Sequence, residues 1–337
     1  MATIKEIAKR ANTSIGTVSR VLNFDDSLRV SEEKRELILK IAEELQYVGK
    51  RQKRKKSRYK VGLISMYTTL EELEDPFYLS IRLGVEKAVK KETIDLTVVH
   101  DTEEGYDLQS LKSLDGIIAI GHFTKKEISR FQKLTRKIVF VNSDPDFHKF
   151  DSILFDGEFA VKEVIDHLSG LGHKKIGYIG VQSVREKKGI DLNETRYDLV
   201  KKYLSNLHLY DESYIYHGGR NYKDGYMIMK KIIDEDQLPT AFFIGNDSMC
   251  IGALTALYEA GIRVPEHLSL VGYNDITNAE YSLPPLTTVK VHTELMGEQA
   301  VGMLLSSVRG RDIPLKLITP TRLVVRESTG KVNGKTR

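Results

Sequence analysis

The chain has 337 residues, 41% of them hydrophobic and 29% charged, with a single cysteine and a mean hydropathy of -0.30; this is length enough for two or three domains with buried cores, and it excludes a disulfide-stapled fold. No run nears the roughly eighteen apolar residues of a membrane span, and the charged start MATIKEIAKR lacks the apolar core of a signal peptide, so a cytoplasmic location is expected. The formal charge of +4 hides an asymmetry: residues 1–60 carry 16 Lys or Arg against 8 Asp or Glu, and the remainder 35 against 39, so the excess positive charge that attracts nucleic acid is concentrated in one small N-terminal part.

Thr3 followed by Glu6 has capping-box spacing, and Ile4, Ile7, Ala8 and Ala11 give the stripe of a first helix ending near Asn12. The next stretch, SIGTVSRVLN over 14–23, buries Val18, Val21 and Leu22 and turns Ile15, Gly16, Ser19 and Arg20 outward, with Ser14 as its N-cap. A third helix starts after Ser31, with Glu32 and Glu33 in its first turn and Leu37, Ile38, Ile41, Ala42 and Leu45 on its inner face. Three short amphipathic helices with a tight first turn make a helix-turn-helix over 1–48, whose second helix suits the major groove of double-stranded DNA. There Arg20 offers a bidentate fork to guanine, Ile15 an apolar contact to a thymine methyl, and Gly16 a close approach.

Residues 49–60 read as a linker, because KRQKRKKSRYK holds eight basic residues in eleven without apolar spacing. Lys53, Arg54, Lys55 and Lys56 are expected to grip phosphates or a narrow A·T-rich groove.

From Val61 onward short apolar runs alternate with helical patterns, which predicts an α/β core of doubly wound parallel sheets. Strands are expected at 61–66, 96–100, 116–120, 138–141, 176–179, 241–244 and 268–271, and helices at 79–91, 158–171, 195–207, 222–233, 248–260 and 294–308. The alternation falls into two blocks around Phe155. The core over 61–327 is therefore expected to have an N-lobe of about 61–155 plus a late crossover, and a C-lobe of about 156–285 plus the last strand. A polar tail, 328–337, follows. Ligands of such sheets bind beyond the C-terminal strand ends, here in the cleft between lobes.

TIKEIAKRANTSIGTVSRVLN with VSEEKRELILKIAEELQY resembles the DNA-binding headpiece of the lactose-repressor and galactose-repressor family. DPFYLSIRLGVEKA, HLSGLGHKKIGYIG, GNDSMCIGAL and VPEHLSLVGYNDI followed by PPLTTVKV resemble its periplasmic-binding-protein-like core. The likeness runs from residue 2 to about 327, with DPFYLSIRLGVE and GYND resembling the branch that represses β-galactosidase and galactose operons. It implies a homodimer on a palindromic operator, released when a sugar binds. It further implies that Ile15, Gly16 and Arg20 discriminate bases, while Thr3, Ser14, Thr17, Ser19 and Asn23 hold phosphates or the neighbouring helix. Phe77, Asn142, Phe155, Arg196, Asn246 and Asn274 fall at effector-binding positions; an arginine fork, amides and aromatic faces fit a neutral sugar. Singly, Asn246 has the alternative of capping a helix, Asn274 of making a turn and Phe155 of filling the core.

Several residues depart from the family pattern. Gly49 stands at the usual proline and Lys56 near the leucine that wedges into the minor groove, and Asn274 replaces a common aspartate. Arg220 stands where relatives often carry an aromatic platform; pointing inward, it would favour an anionic ligand such as a sugar phosphate. The C-terminus lacks the leucine heptads that pair dimers into tetramers.

No metal, cofactor or catalytic set is expected: nine histidines show no ligand-spaced pair, Cys250 falls in a helical pattern, and there is neither a P-loop nor a nucleophile elbow. The rival readings are a corepressed or phosphocarrier-dependent catabolite regulator of the same fold, and a sugar-binding receptor without DNA function. Residues 1–60 argue against the receptor.

Overall fold

The computed structural model describes residues 3–22, 28, 30–45, 47, 59–102, 104–180 and 196–332, which divide into two compact units between residues 57 and 58. The first holds α1 (Ile4–Arg10), α2 (Ile15–Leu22) and α3 (Glu32–Glu44). Each starts on a hydroxyl that satisfies an orphan amide: Thr3 Oγ1 accepts from Glu6 N at 3.3 Å, Ser14 Oγ from Thr17 N at 3.0 Å, and Ser31 Oγ from Lys34 N at 3.3 Å. Asn12, with φ 48°, takes the left-handed conformation in the turn between α1 and α2. Ile7, Ala8, Val18, Val21, Ile38 and Ile41 close the core. Leu37, expected inside, is 41% exposed. The buried stripe runs Ile38, Ile41, Ala42, and residue 37 lies about 100° around the helix from residue 38.

The second unit contains two six-stranded sheets. The first has the order β2 (Ile94–His100), β1 (Tyr59–Ser65), β3 (Gly116–Ile120), β4 (Ile138–Val141), β5 (Asp151–Phe155), β11 (Lys316–Thr319), with all pairs parallel. The second repeats the pattern as β7 (Ile215–His217), β6 (Ile176–Gly180), β8 (Ala241–Ile244), β9 (Ser269–Asn274), β10 (Thr287–Lys290), β12 (Arg322–Val324), and among these described strands β12 alone runs antiparallel. In each sheet the order reverses beside the first strand of its lobe. Loops after β1 and β3, and after β6 and β8, therefore splay apart and leave a crevice at the strand ends.

The expected helices are α5 (Phe77–Val89), α7 (Gly157–Gly170), α8 (Arg196–Asn206), α9 (Tyr222–Asp234), α10 (Asp247–Glu259) and α12 (Thr293–Val308). Three short ones were not predicted: α4 (Thr69–Glu74), α6 (Lys125–Gln132) and α11 (Thr277–Glu280). Two corrections concern the boundaries. Tyr59 and Lys60, assigned to the linker, pair with Ile94 and Asp95 as the start of β1. Residues 328–332, expected as a polar tail, pack on the second sheet: Ser328 Oγ donates to Leu270 O at 2.7 Å and accepts from Thr287 N at 2.8 Å, and Val332 N donates to Leu171 O at 3.2 Å. Small hydroxyl side chains satisfy buried backbone groups there. Among the described residues, no helix is long and apolar enough to cross a membrane.

α5 and α12 meet through glycines: a Cβ on Gly297 would lie 2.0 Å from Ile81 O, and one on Gly84 2.2 Å from Glu294 O. Backbone cannot yield as a side-chain tip does. Gly297→Ala is expected to cost about 1–3 kcal/mol, seen as a lower urea midpoint at unchanged slope. Gly302→Ala on the same helix, where a Cβ would meet nothing within 4 Å, is the control and should not destabilise.

Candidate functional site

On α2 the residues expected to face outward do so. Ile15 is 52% exposed, Gly16 and Arg20 are exposed and Ser19 is half-buried. Thr17 Oγ1 lies 2.9 Å from Ser14 Oγ, and Thr3 and Ser14 act as caps. A Cβ on Gly16 would touch only Ser14 Oγ at 3.6 Å. The headpiece's own packing thus does not require glycine there. Asn23, Lys53, Arg54, Lys55 and Lys56 lie outside the described residues.

In the second unit the seven expected effector residues gather at the strand ends between the two sheets. Arg196, the first residue of α8, donates from Nη1 to Gly245 O just after β8, and its guanidinium carbon stands 3.6 Å above the centre of the Tyr273 ring. Tyr273 lies 6.1 Å from Phe155, which meets Phe77 edge-on at 6.2 Å. Asn142, with φ 63° after β4, donates to the Tyr78 hydroxyl at 3.0 Å, and Tyr78 packs on Phe77 at 5.0 Å. Asn274 ends β9 beside Tyr273 with φ 114°, followed by Asp275 at 56°. Such paired positive angles hold a sharp turn against backbone preference.

Asn246 has the capping role considered for it and also bonds across to Arg220 and Asp75. Its Oδ1 caps α10 by accepting from Met249 N at 2.8 Å, while Nδ2 reaches Arg220 O at 2.8 Å and Asp75 Oδ2 at 3.4 Å. Arg220 points inward, lining a cavity of about 290 Å³ with Tyr67, Glu71, Glu74, Asp75, Gly219, Asn221 and Asp224. Asn221 Nδ2 spans the lobes to Glu74 Oε2 at 3.1 Å.

Sequence reasoning missed Asp75, Tyr67, Tyr273 and His122. Asp75 lies two residues before Phe77 in the DPFY stretch, where an aspartate before proline reads as ordinary turn chemistry. Burial pushes its carboxyl up to about 6, against the pull of Arg196 and Arg220. Burial likewise drives the Tyr67 phenol far above its usual value and, with help from Arg220, takes the His122 imidazole down to about 4, so that it is neutral near pH 7.

Asp247 holds the floor of the site. Wholly buried at the start of α10, it accepts from the Thr288 hydroxyl at 2.6 Å and from Ile276 N at 2.9 Å, fixing the turn that carries Asn274. Burial raises its carboxyl from 3.8 to about 7. The folded chain therefore binds this proton more tightly than the unfolded chain. Its contribution to stability is full below pH 3.8 and is lost as pH rises through about 7. Asp247→Asn should accordingly flatten the decline in urea-unfolding free energy between about pH 4 and about pH 7.5. An unchanged decline would place the titration elsewhere. Among the described residues no group of three or more His, Cys, Asp or Glu side chains could hold a metal.

Residues 3–49 match the family described as "Bacterial regulatory proteins, lacI family", and residues 165–329 match "Periplasmic binding protein-like domain". The chain is 39% identical to the transcriptional repressor MelR of Bacillus subtilis, with 98% of each chain covered. It is 38% identical to the regulator GanR of the same organism, covering 97% of this chain and 99% of that one. A solved structure of a CelR–cellobiose complex superposes with TM-score 0.68 at 26% identity, covering 97% of this chain and all of that one.

Proposed function

The chain belongs to the lacI family of bacterial regulatory proteins, and from this premise we propose that it is a DNA-binding repressor of a sugar-utilisation operon whose effector is galactose or a galactoside. It is a regulator and not an enzyme. It acts in the cytoplasm as a homodimer, since one headpiece reads only a half-site and two are needed on a palindromic operator. Residues 1–48 bind the operator, 49–58 link, and the remainder senses the effector and pairs the protomers.

The observation that carries the sugar reading is the convergence of an arginine fork, two amides and clustered aromatic rings, from Arg196, Asn246, Asn274, Phe77 and Phe155, on one crevice between parallel sheets. These groups give and accept hydrogen bonds around an apolar ring face. Cellobiose in the complex of CelR is a sugar held by a protein of this fold. The aromatic face and the arginine sit on different lobes, so a ligand touching both favours one lobe arrangement, and only that difference in affinity can bias DNA binding.

The test is operator binding by fluorescence anisotropy with and without galactose or lactose. Sugar is expected to weaken binding. Tighter binding would reverse the sign and make the sugar a corepressor, and indifference to both sugars would remove them as effectors. Dependence on a phosphorylated carrier protein would favour the catabolite-regulator reading.

A further inference from the structure

We infer that Asp75 makes the cleft a filter against phosphorylated and other anionic sugars, so that the effector is an uncharged polyhydroxyl compound that donates a hydroxyl to this carboxylate. The inference rests on the sugar reading above and specifies the charge of its ligand. A phosphate site needs free amides at a helix start or a guanidinium with open donors.

Several amides at the described helix starts around this cleft are already bonded from within. At α9, Asn221 Oδ1 accepts from Asp224 N at 3.0 Å, while Asp224 Oδ2 accepts from the amides of Arg220 at 2.8 Å and Asn221 at 3.4 Å. At α10 the amide of Met249 goes to Asn246, and at α5 the amide of Phe77 goes to Asp75 Oδ1 at 3.4 Å. The two guanidinium groups are only partly engaged. Arg196 spends one donor on Gly245 O and its face on Tyr273, and the charge of Arg220 acts on both Tyr67 and Asp75. The cavity is lined by four carboxylates, Glu71, Glu74, Asp75 and Asp224, against the single guanidinium of Arg220.

Among these four carboxylates Asp75 alone is buried. Glu71 closes the capping box of α4, Glu74 takes Asn221, and Asp224 caps α9. Asp75 is 8% exposed, and both of its bonds are 3.4 Å long, well beyond the roughly 2.7–2.9 Å of a charge-assisted bond. A buried carboxylate with weak partners on a cavity wall is completed by a hydroxyl donor and repels a phosphate. It also restores from the N-lobe the carboxylate charge that Asn274 lacks in the C-lobe. A single ligand bonded to Asp75 and Arg196 therefore ties the lobes together.

Calorimetry on the full chain with galactose, lactose and galactose 6-phosphate tests this. The wild type should prefer its neutral sugar to the phosphosugar. Asp75→Asn should weaken the neutral sugar, strengthen the phosphosugar, and shrink the ratio by about tenfold or more. Glu158→Gln removes one carboxylate on α7, bonded to Lys202 and Tyr203, and should leave the ratio within about twofold, excluding a net-charge effect. Neutral-sugar binding with an unchanged ratio in Asp75→Asn overturns the filter while the sugar reading stands. A wild type that prefers galactose 6-phosphate also overturns it. If the wild type binds none of the three, the sugar reading falls and the filter with it.

Discussion

Arg196→Ala is expected to leave a repressor that stays on its operator at any sugar concentration. Arg196 opens α8, and its guanidinium is held in place from two sides, by Gly245 O and by the face of Tyr273. A side chain fixed in this way presents its remaining donors without further loss of rotamer freedom. Hydrogen bonds from a charged donor contribute roughly 1.5–3 kcal/mol each, so losing the fork should weaken sugar binding by tens to thousands of fold. Headpiece release depends on the ligand's differential affinity for the two lobe arrangements, and a ligand that no longer binds shifts nothing. Operator affinity without sugar should remain within a few fold of wild type, because the headpiece is untouched. Arg196→Lys keeps the charge but loses the planar fork, and should fall between the two. Anisotropy on labelled operator across a sugar titration reads all three proteins. Normal release in Arg196→Ala would remove this residue from the effector site.

The sequence made the layout legible wherever burial leaves a strong pattern. β3, β4 and β8 are continuous apolar runs buried along their length, and they appear at their predicted limits. β5, β7, β10 and β11 were not predicted, and β12 was expected only as a last strand without limits. IYH, TTVK, KLIT and RLV are short, half-polar segments whose strand character comes from the neighbour they pair with rather than from their own periodicity. The same holds in the cleft. Arg196, Asn246 and Asn274 lie within motifs, whereas Asp75 gains its meaning only when folding brings it to two arginines of the other lobe. The inward turn of Arg220 was left open by the sequence; in the structure it follows from Asp224 holding its amide and Asn246 holding its carbonyl. Ser328 through Val332 read as a polar tail because small polar residues look the same in solvent and in a buried backbone clamp.

Removing the charges of Lys53, Arg54, Lys55 and Lys56 and removing Arg20 should damage DNA binding in two separable ways. Lysines and arginines that neutralise phosphates release counterions whatever the DNA sequence. Neutralising the four linker residues should therefore lower affinity for operator and random DNA alike, and reduce the slope of log affinity against log salt by up to about 3.6, at about 0.9 for each phosphate no longer neutralised. Arg20 stands exposed on α2 beside Ile15 and Gly16, where its fork can meet one guanine. Arg20→Ala should cost about 1–3 kcal/mol on operator, relax the preference at a single base pair and change the salt slope by no more than about 1. Binding to random DNA should fall much less. The contrast matters because Lys56 stands where the family resemblance places a leucine wedge. A lysine cannot unstack a base step as a leucine does, so the linker is expected to supply affinity and α2 discrimination. If the linker variant instead lost operator binding while keeping its affinity for random DNA, the linker would be reading DNA sequence or shape, and this division of labour would be wrong.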